Sequence, residues 1–247
     1  MILKPPKGAM VNRGHPLARG LVGCWLMNEG GGTIVNDLSG NGNVGTIGAN
    51  LAWGSGKHGH TVDWSGSDND IDSDNVIDFP TITELPVTFT LAHWVKIPNT
   101  PWENQVSIAF VEEATNQTYI EKHYTATAGG PTTHSWRVRN NYGTGLTLLS
   151  DNNCQTDVWE FVALTRDSSN VYRTFVNGIV QGDTGSSGVG VIDCSNLHQI
   201  GYSQNLAGSG KNFEGEISTF SIYNRALTAS EIAQLYREPF CMFEVDL

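Results

Sequence analysis

Runs of β-branched and aromatic residues along this chain are short. Each is cut by glycine, asparagine, aspartate or serine before a helix of ordinary length could form. The clearest case is RTFVNGIVQG (173–182), where Asn177-Gly178 stands between two strand-like halves. That dipeptide is the strongest short-range hairpin signal and predicts a type I′ turn, with positive φ at both positions. FTLAHWVKI (89–97) sets Phe89, Leu91, His93 and Val95 against Thr90, Ala92, Trp94 and Lys96, the alternation of a strand. GLVGCWLMN, VSIAFVE, TYIEKHYT, HSWRVRN, VWEFVALT, VYRTFV and NLHQIGYS are further strand candidates. With 28 glycines in 247 residues to supply turns, the fold class is all-β, and the length suits one sandwich domain.

A single helix is expected near the end, in FEGEISTFSIYNRALTASEIAQLY (213–236). Thr228 and Glu231 have capping-box spacing, and Leu227 and Ile232 are placed as a hydrophobic staple. Ile232, Leu235 and Tyr236 form an apolar stripe that Pro239 ends. In the strand before the helix, Phe220 and Ile222 share one face while Ile217 falls on the other. Either the phase slips at Ser218-Thr219 or the strand is covered on both sides, as a central strand would be.

The formal net charge of −11 excludes partners that present phosphates, so neither nucleic acid nor an anionic membrane is expected. The longest apolar run, LVGCWLM (21–27), is far below a membrane span, and MILKPPKGAM has no apolar signal-peptide core. The expectation is a soluble chain, not inserted in a membrane, that reaches an extracellular or virion surface without a visible signal peptide. Residues 1–19 gather Lys4, Lys7, Arg13 and Arg19 among Pro5, Pro6 and Pro16. They read either as an extended basic arm that engages an assembly partner or as a packed terminus. Residues 238–247 read as a tail. The four cysteines have no CxxC spacing, which removes zinc and thioredoxin-like readings. A Cys154–Cys194 bridge suits an oxidising compartment, and buried free thiols are the preferred alternative.

Several stretches resemble the laminin-G-like, concanavalin A-like jelly-roll family, in the same order along residues 20–237. They are GLVGCWLMNEGGGTIVNDLSGNGNVGT, VDWSGSDNDID, FTLAHWVKI, WEFVALTRD, FVNG and the closing strand-plus-helix segment. The resemblance implies two antiparallel sheets packed as a sandwich, adjacent first and last strands, and a short helix after the last strand. It also implies glycan binding and, in many members, a calcium ion. Where relatives usually carry an acidic pair in the last strand, this chain has Ser218-Thr219.

Four constellations could carry chemistry. Asp37, Ser39, Asn41 and Asn43 place oxygens at positions 1, 3, 5 and 7 of a calcium-type loop, with Gly42 at position 6 and no glutamate at position 12. The alternative is a hydrogen-bonded Asx turn. The acidic run Asp63, Asp68, Asp70, Asp72, Asp74 and Asp78 reads better as a solvated strand face than as a metal site. Tyr119, Glu121 and His123 share one strand face and Arg137 and Arg139 another. These residue types are what a polysaccharide lyase uses to neutralise a uronate and remove its C5 proton. Finally, Trp102 with Asn104, and Tyr142 with Asn140 and Asn141, set flat apolar platforms beside planar hydrogen-bonding groups in loops, the chemistry of sugar recognition. Trp25, Trp64, Trp94, Trp136 and Trp159 sit in strand patterns and are expected in the core. Around Glu216 the E-x-D-x-x-E strand of glycoside hydrolases is absent, so that reading is rejected.

These readings favour a non-catalytic carbohydrate-binding or adhesion module on a virion, tail or other external surface. A polysaccharide lyase is the enzymatic alternative and a purely structural surface domain the third.

Overall fold

The computed structural model describes residues 3–64, 73–82, 84–98, 105–113, 116–125, 133–140, 146–186, 192–193, 197–203 and 211–244. Among these residues, two eight-stranded antiparallel sheets enclose a common core. The first sheet runs Ile179–Ser186, Val171–Val176, Trp159–Arg166, Phe89–Lys96, Glu216–Tyr223, Gly59–Asp63, Ala52–Gly56, with Leu21–Trp25 also paired to Glu216–Tyr223. The second runs Leu146–Asn153, Thr133–Asn140, Asn116–Thr125, Gln105–Glu113, Leu197–Ile200, Ile77–Asp78, Gly45–Ile47, Ile34–Val35. Trp25 lies opposite Phe220, so the first and last long strands are neighbours, as the resemblance implies. Asn177 and Gly178 take φ of 51° and 80°, the backbone a type I′ hairpin demands.

The two faces of the Phe89–Lys96 strand are buried for different reasons. Phe89, Leu91 and Val95 meet Trp25, Trp136 and Phe220 between the sheets, where the Trp25 and Phe220 rings stack 5.2 Å apart. Ala92 and Trp94 enter a second cluster on the outer side of the first sheet, with Phe161, Phe175, Ile232 and Leu235. Only Lys96 escapes burial in this strand. The neighbouring Glu216–Tyr223 strand is buried on both faces as well, and its register slips between Ile217 and Thr219. Both explanations of its broken alternation therefore hold. A bulge at Ser218 re-phases a strand that is covered on both sides.

The outer cover is assembled from the chain ends. The helix spans Ala229–Arg237 and opens with the expected capping box. Thr228 N–H donates to Glu231 at 2.8 Å, and Glu231 N–H donates to the Thr228 hydroxyl at 3.3 Å. The N-terminal segment lies beside it, with Leu17 fully buried and Val11 bridged to Phe243. Asn12 N–H donates to the Met242 carbonyl at 2.8 Å, and Glu244 N–H to that of Met10 at 2.9 Å. Arg225 holds Glu231 through two bonds of 2.8 and 2.9 Å while donating to the Arg19 and Pro16 carbonyls. Val11, Leu17 and Ala18 of this segment thus pack on the outer core, so packed residues lie on both sides of the 20–237 span that the motifs mark. The motifs report sheet and helix, whereas the segments that cover the outer sheet face carry no pattern of their own.

Because Leu17 belongs to this outer core, Leu17→Ala should destabilise the domain by about 2–5 kcal/mol in urea unfolding. A change under about 0.5 kcal/mol would mean that the N-terminal segment is not part of the cooperative unit.

Candidate functional site

The DLSGNGN loop is organised around one carboxylate. Asp37 Oδ1 accepts the N–H groups of Cys24 and Ser39 at 3.0 and 2.8 Å; Oδ2 accepts the Ser39 hydroxyl at 2.7 Å and Asn43 N–H at 3.0 Å. The Asn41 and Asn43 amides donate to the Val22 carbonyl, each at 2.9 Å. That carbonyl lies where the register of Leu21–Trp25 slips against Glu216–Tyr223. The loop therefore supplies donors to a strand irregularity, which is what an Asx-type network does. Its carboxylate already receives four protein donors, and its two asparagines face the strand with N–H groups. This donor set does not fit a calcium ion. Among the described residues no group of three or more His, Cys, Asp or Glu is arranged to hold a metal; Asp68, Asp70 and Asp72 lie outside them.

On the second sheet, strand register brings the lyase-type residues together. Tyr119 pairs with Arg139, Glu121 with Arg137 and His123 with Ser135. The alternate positions Ile120, Trp136 and Val138 are buried in the core, so the paired polar positions fall on the opposite, outer face of the sheet. Of the loop candidates, Trp102, Asn104, Asn141 and Tyr142 lie outside the described residues, and Asn140 ends its strand opposite Thr118 and Leu146. Glu216 has a structural role: it accepts from Lys96 Nζ at 3.0 Å and from the Thr61 hydroxyl at 2.9 Å. Cys24 and Cys154 are buried thiols, and Cys194 lies outside the described residues. Burial pushes the Cys24 and Cys241 thiols up, away from nucleophilic use.

A groove that the sequence did not reveal opens where the helix end meets the outer face of the first sheet. It encloses about 650 Å³ and is lined by Lys57, His58, Trp94, Trp159, Tyr236, Arg237 and Pro239. Trp94 forms the floor. Lys57 Nζ lies 3.9 Å from its ring centroid, Tyr236 stacks on it at 5.5 Å and 22°, and His58 meets it edge-on at 4.9 Å. Trp159 and Tyr236 stay half-buried at the walls. The Ala52–Gly56 and Gly59–Asp63 hairpin approaches closely because Gly56 has no side chain; a Cβ there would lie 2.4 Å from Trp159 Cζ2. Burial, with the nearby Lys57 and Lys4 charges, pushes the His58 imidazole down to about 4. His58 is therefore neutral at pH 7. Its buried Nδ1 and the buried Nε1–H of Trp94 have no hydrogen-bond partner among the described residues. Trp94 meets the expectation of a core position. Trp159, expected beside it, is instead a groove wall.

Two packed antiparallel sheets closed by a short helix define a jelly-roll-type β-sandwich. The chain belongs to the Laminin_G_3 family of the concanavalin A-like lectin/glucanases superfamily, whose model matches residues 65–233. No curated protein sequence matches it significantly. Its fold is similar to the binding domain of Paraclostridial Mosquitocidal Protein 1, at TM-score 0.64 and 17% identity, over 91% of this chain and 53% of that one. The receptor binding domain of botulinum neurotoxin D gives 0.65 and 14%, over 91% and 54%. The chain thus spans about half the length of these toxin domains. Domain 4 of AbnA, a GH43 extracellular arabinanase from Geobacillus stearothermophilus solved with arabinotriose, gives 0.62 and 18%. There the match covers 87% of this chain and 98% of that domain. Among the described residues, no helix is long and apolar enough to cross a membrane.

Two outcomes follow from the side-chain geometry. Asp37→Ala leaves buried and half-buried donors without an acceptor and should cost about 1–3 kcal/mol, while adding calcium or a chelator leaves the wild-type melting temperature unchanged. A chelator-induced fall in melting temperature would restore the calcium reading.

Burial also pushes His93, which lies against Trp136 between the sheets, down to about 3. For both imidazoles the folded value lies below the unfolded one. Their contribution to stability is therefore full above about pH 6.5 and is lost as pH falls towards 4 and then 3. Urea unfolding across that window should show this loss, and His58→Gln should make it shallower between pH 6.5 and 4.

Proposed function

We propose that this protein is a carbohydrate-binding module that acts at an external surface, with no catalytic step of its own. The supporting observation is the mutual coverage of 87% and 98% with domain 4 of the arabinanase AbnA, whose structure holds a bound arabinotriose. Here too one sandwich occupies the chain, and its family is one of lectins and glucanases. Attachment to a virion or tail surface is the finer reading within this proposal, and a purely structural surface domain is the alternative to it. The loop residues Trp102, Asn104, Asn140, Asn141 and Tyr142 remain the proposed sugar platforms of the loops, on their residue chemistry alone.

A second reading is favoured by one observation. The register of Asn116–Thr125 and Thr133–Asn140 sets Tyr119 and His123 on the same sheet face as Arg137 and Arg139, the grouping that β-elimination from a uronate requires.

A glycan array, paired with an absorbance assay for unsaturated uronates, separates the two readings. The expected result is glycan binding without a chromophore, with Trp102→Ala weakening binding by about 1–2 kcal/mol and Tyr119→Phe or His123→Ala leaving it unchanged. Formation of a C4–C5 double bond, abolished by His123→Ala, would replace the module by the lyase.

A further inference from the structure

The groove between the helix end and the outer sheet face differs from the rest of the protein in charge. The chain carries a formal net charge of −11, yet the groove is lined by Lys57 and Arg237 and, among the described residues, by no carboxylate. Neither cation has an ion-pair partner among the described residues; Lys57 instead sits over the Trp94 ring. Both cations are exposed, while Trp159 and Tyr236 between them are half-buried, so rings and charges face the same opening. In the floor, His58 is 3% exposed and Trp94 1% exposed, and each holds one buried polar atom with no partner among the described residues. Such atoms carry a desolvation cost, and each calls for an explanation. An open groove of about 650 Å³ is of the size that takes a small ligand.

We propose that this groove binds a carboxylated sugar residue of an acidic glycan, an inference that rests on the carbohydrate-binding reading above. The C–H face of the pyranose packs on Trp159 and Tyr236, and the carboxylate lies between the Lys57 ammonium and the Arg237 guanidinium. A neutral sugar leaves both cations without a partner, so the site selects for the acid. Arg237 follows the apolar stripe on the last turn of the helix, and Lys57 sits in the turn of the Ala52–Gly56 and Gly59–Asp63 hairpin. The site thus exists only where the terminal helix has docked on the sheet.

The test is calorimetric titration of the full chain with trigalacturonate and its methyl ester, and with sialyllactose and lactose. These two pairs separate a uronate from a sialate as the source of the carboxylate. Binding of at least one acid should exceed that of its neutral counterpart by about tenfold or more and should weaken as salt is raised. Arg237→Gln and Lys57→Gln should each reduce it about tenfold, Arg237→Lys should retain part of it, and Trp159→Ala should reduce it further. Arg237 is exposed, so its substitution does not endanger folding and decides the matter if Trp159→Ala proves unstable. Equal affinity for acid and neutral forms, or glycan binding indifferent to Arg237→Gln and Lys57→Gln, would overturn the groove and leave the carbohydrate-binding module standing. A folded protein that binds no glycan on the array would overturn both.

Discussion

A strand whose two faces are both apolar must find cover on both sides of its sheet, and this requirement organises the molecule. In Phe89–Lys96 and Glu216–Tyr223, side chains of both faces leave water. The second sheet covers one face. The other is covered by the Ala229–Arg237 helix, residues 9–19 and the tail through Phe243, which close over Trp94, Phe161 and Phe175. A fully buried Leu, Phe or Trp contributes on the order of 1.5–3 kcal/mol relative to exposure, so the loss of this layer would outweigh most single contacts in the domain.

The groove is a by-product of that cover being incomplete. The helix shields part of the outer face and ends at Arg237, and the hairpin turn approaches beyond it, where His58 meets Phe240 edge-on at 5.5 Å. Trp159 stays half-buried there and Trp94 forms the floor, its indole in contact with both Lys57 and Tyr236. Cation and ring stabilise each other most where water is partly excluded, and partial desolvation lowers the pKa of the exposed Lys57. A ligand carboxylate would therefore meet a charge that is already partly desolvated and held in place.

The DLSGNGN loop shows how one sequence pattern serves two chemistries. Alternating oxygens look alike whether they gather around a cation or accept from backbone N–H groups. What separates the cases is where the donors stand. Here a register slip at Val22 frees a carbonyl, Asn41 and Asn43 turn their amide N–H groups to it, and Asp37 gathers the N–H groups on its own side.

The sequence by itself determined the local and periodic features: strand alternation, the Asn177-Gly178 turn, the Thr228 and Glu231 cap, and the order of motifs that marks the jelly roll. Each depends on residues a few positions apart, whose preferences need no tertiary partner. It also placed four of its five expected core tryptophans correctly and showed that Ile217 breaks phase. Only the tertiary structure decided that the N-terminal segment packs on the outer core, that Tyr119 and Arg139 stand side by side, and that residues 57, 94, 159 and 237 share one groove. Those facts depend on which strands pair and which segments cover them. Such contacts join segments from about 20 to more than 200 residues apart, and neither period nor spacing records them.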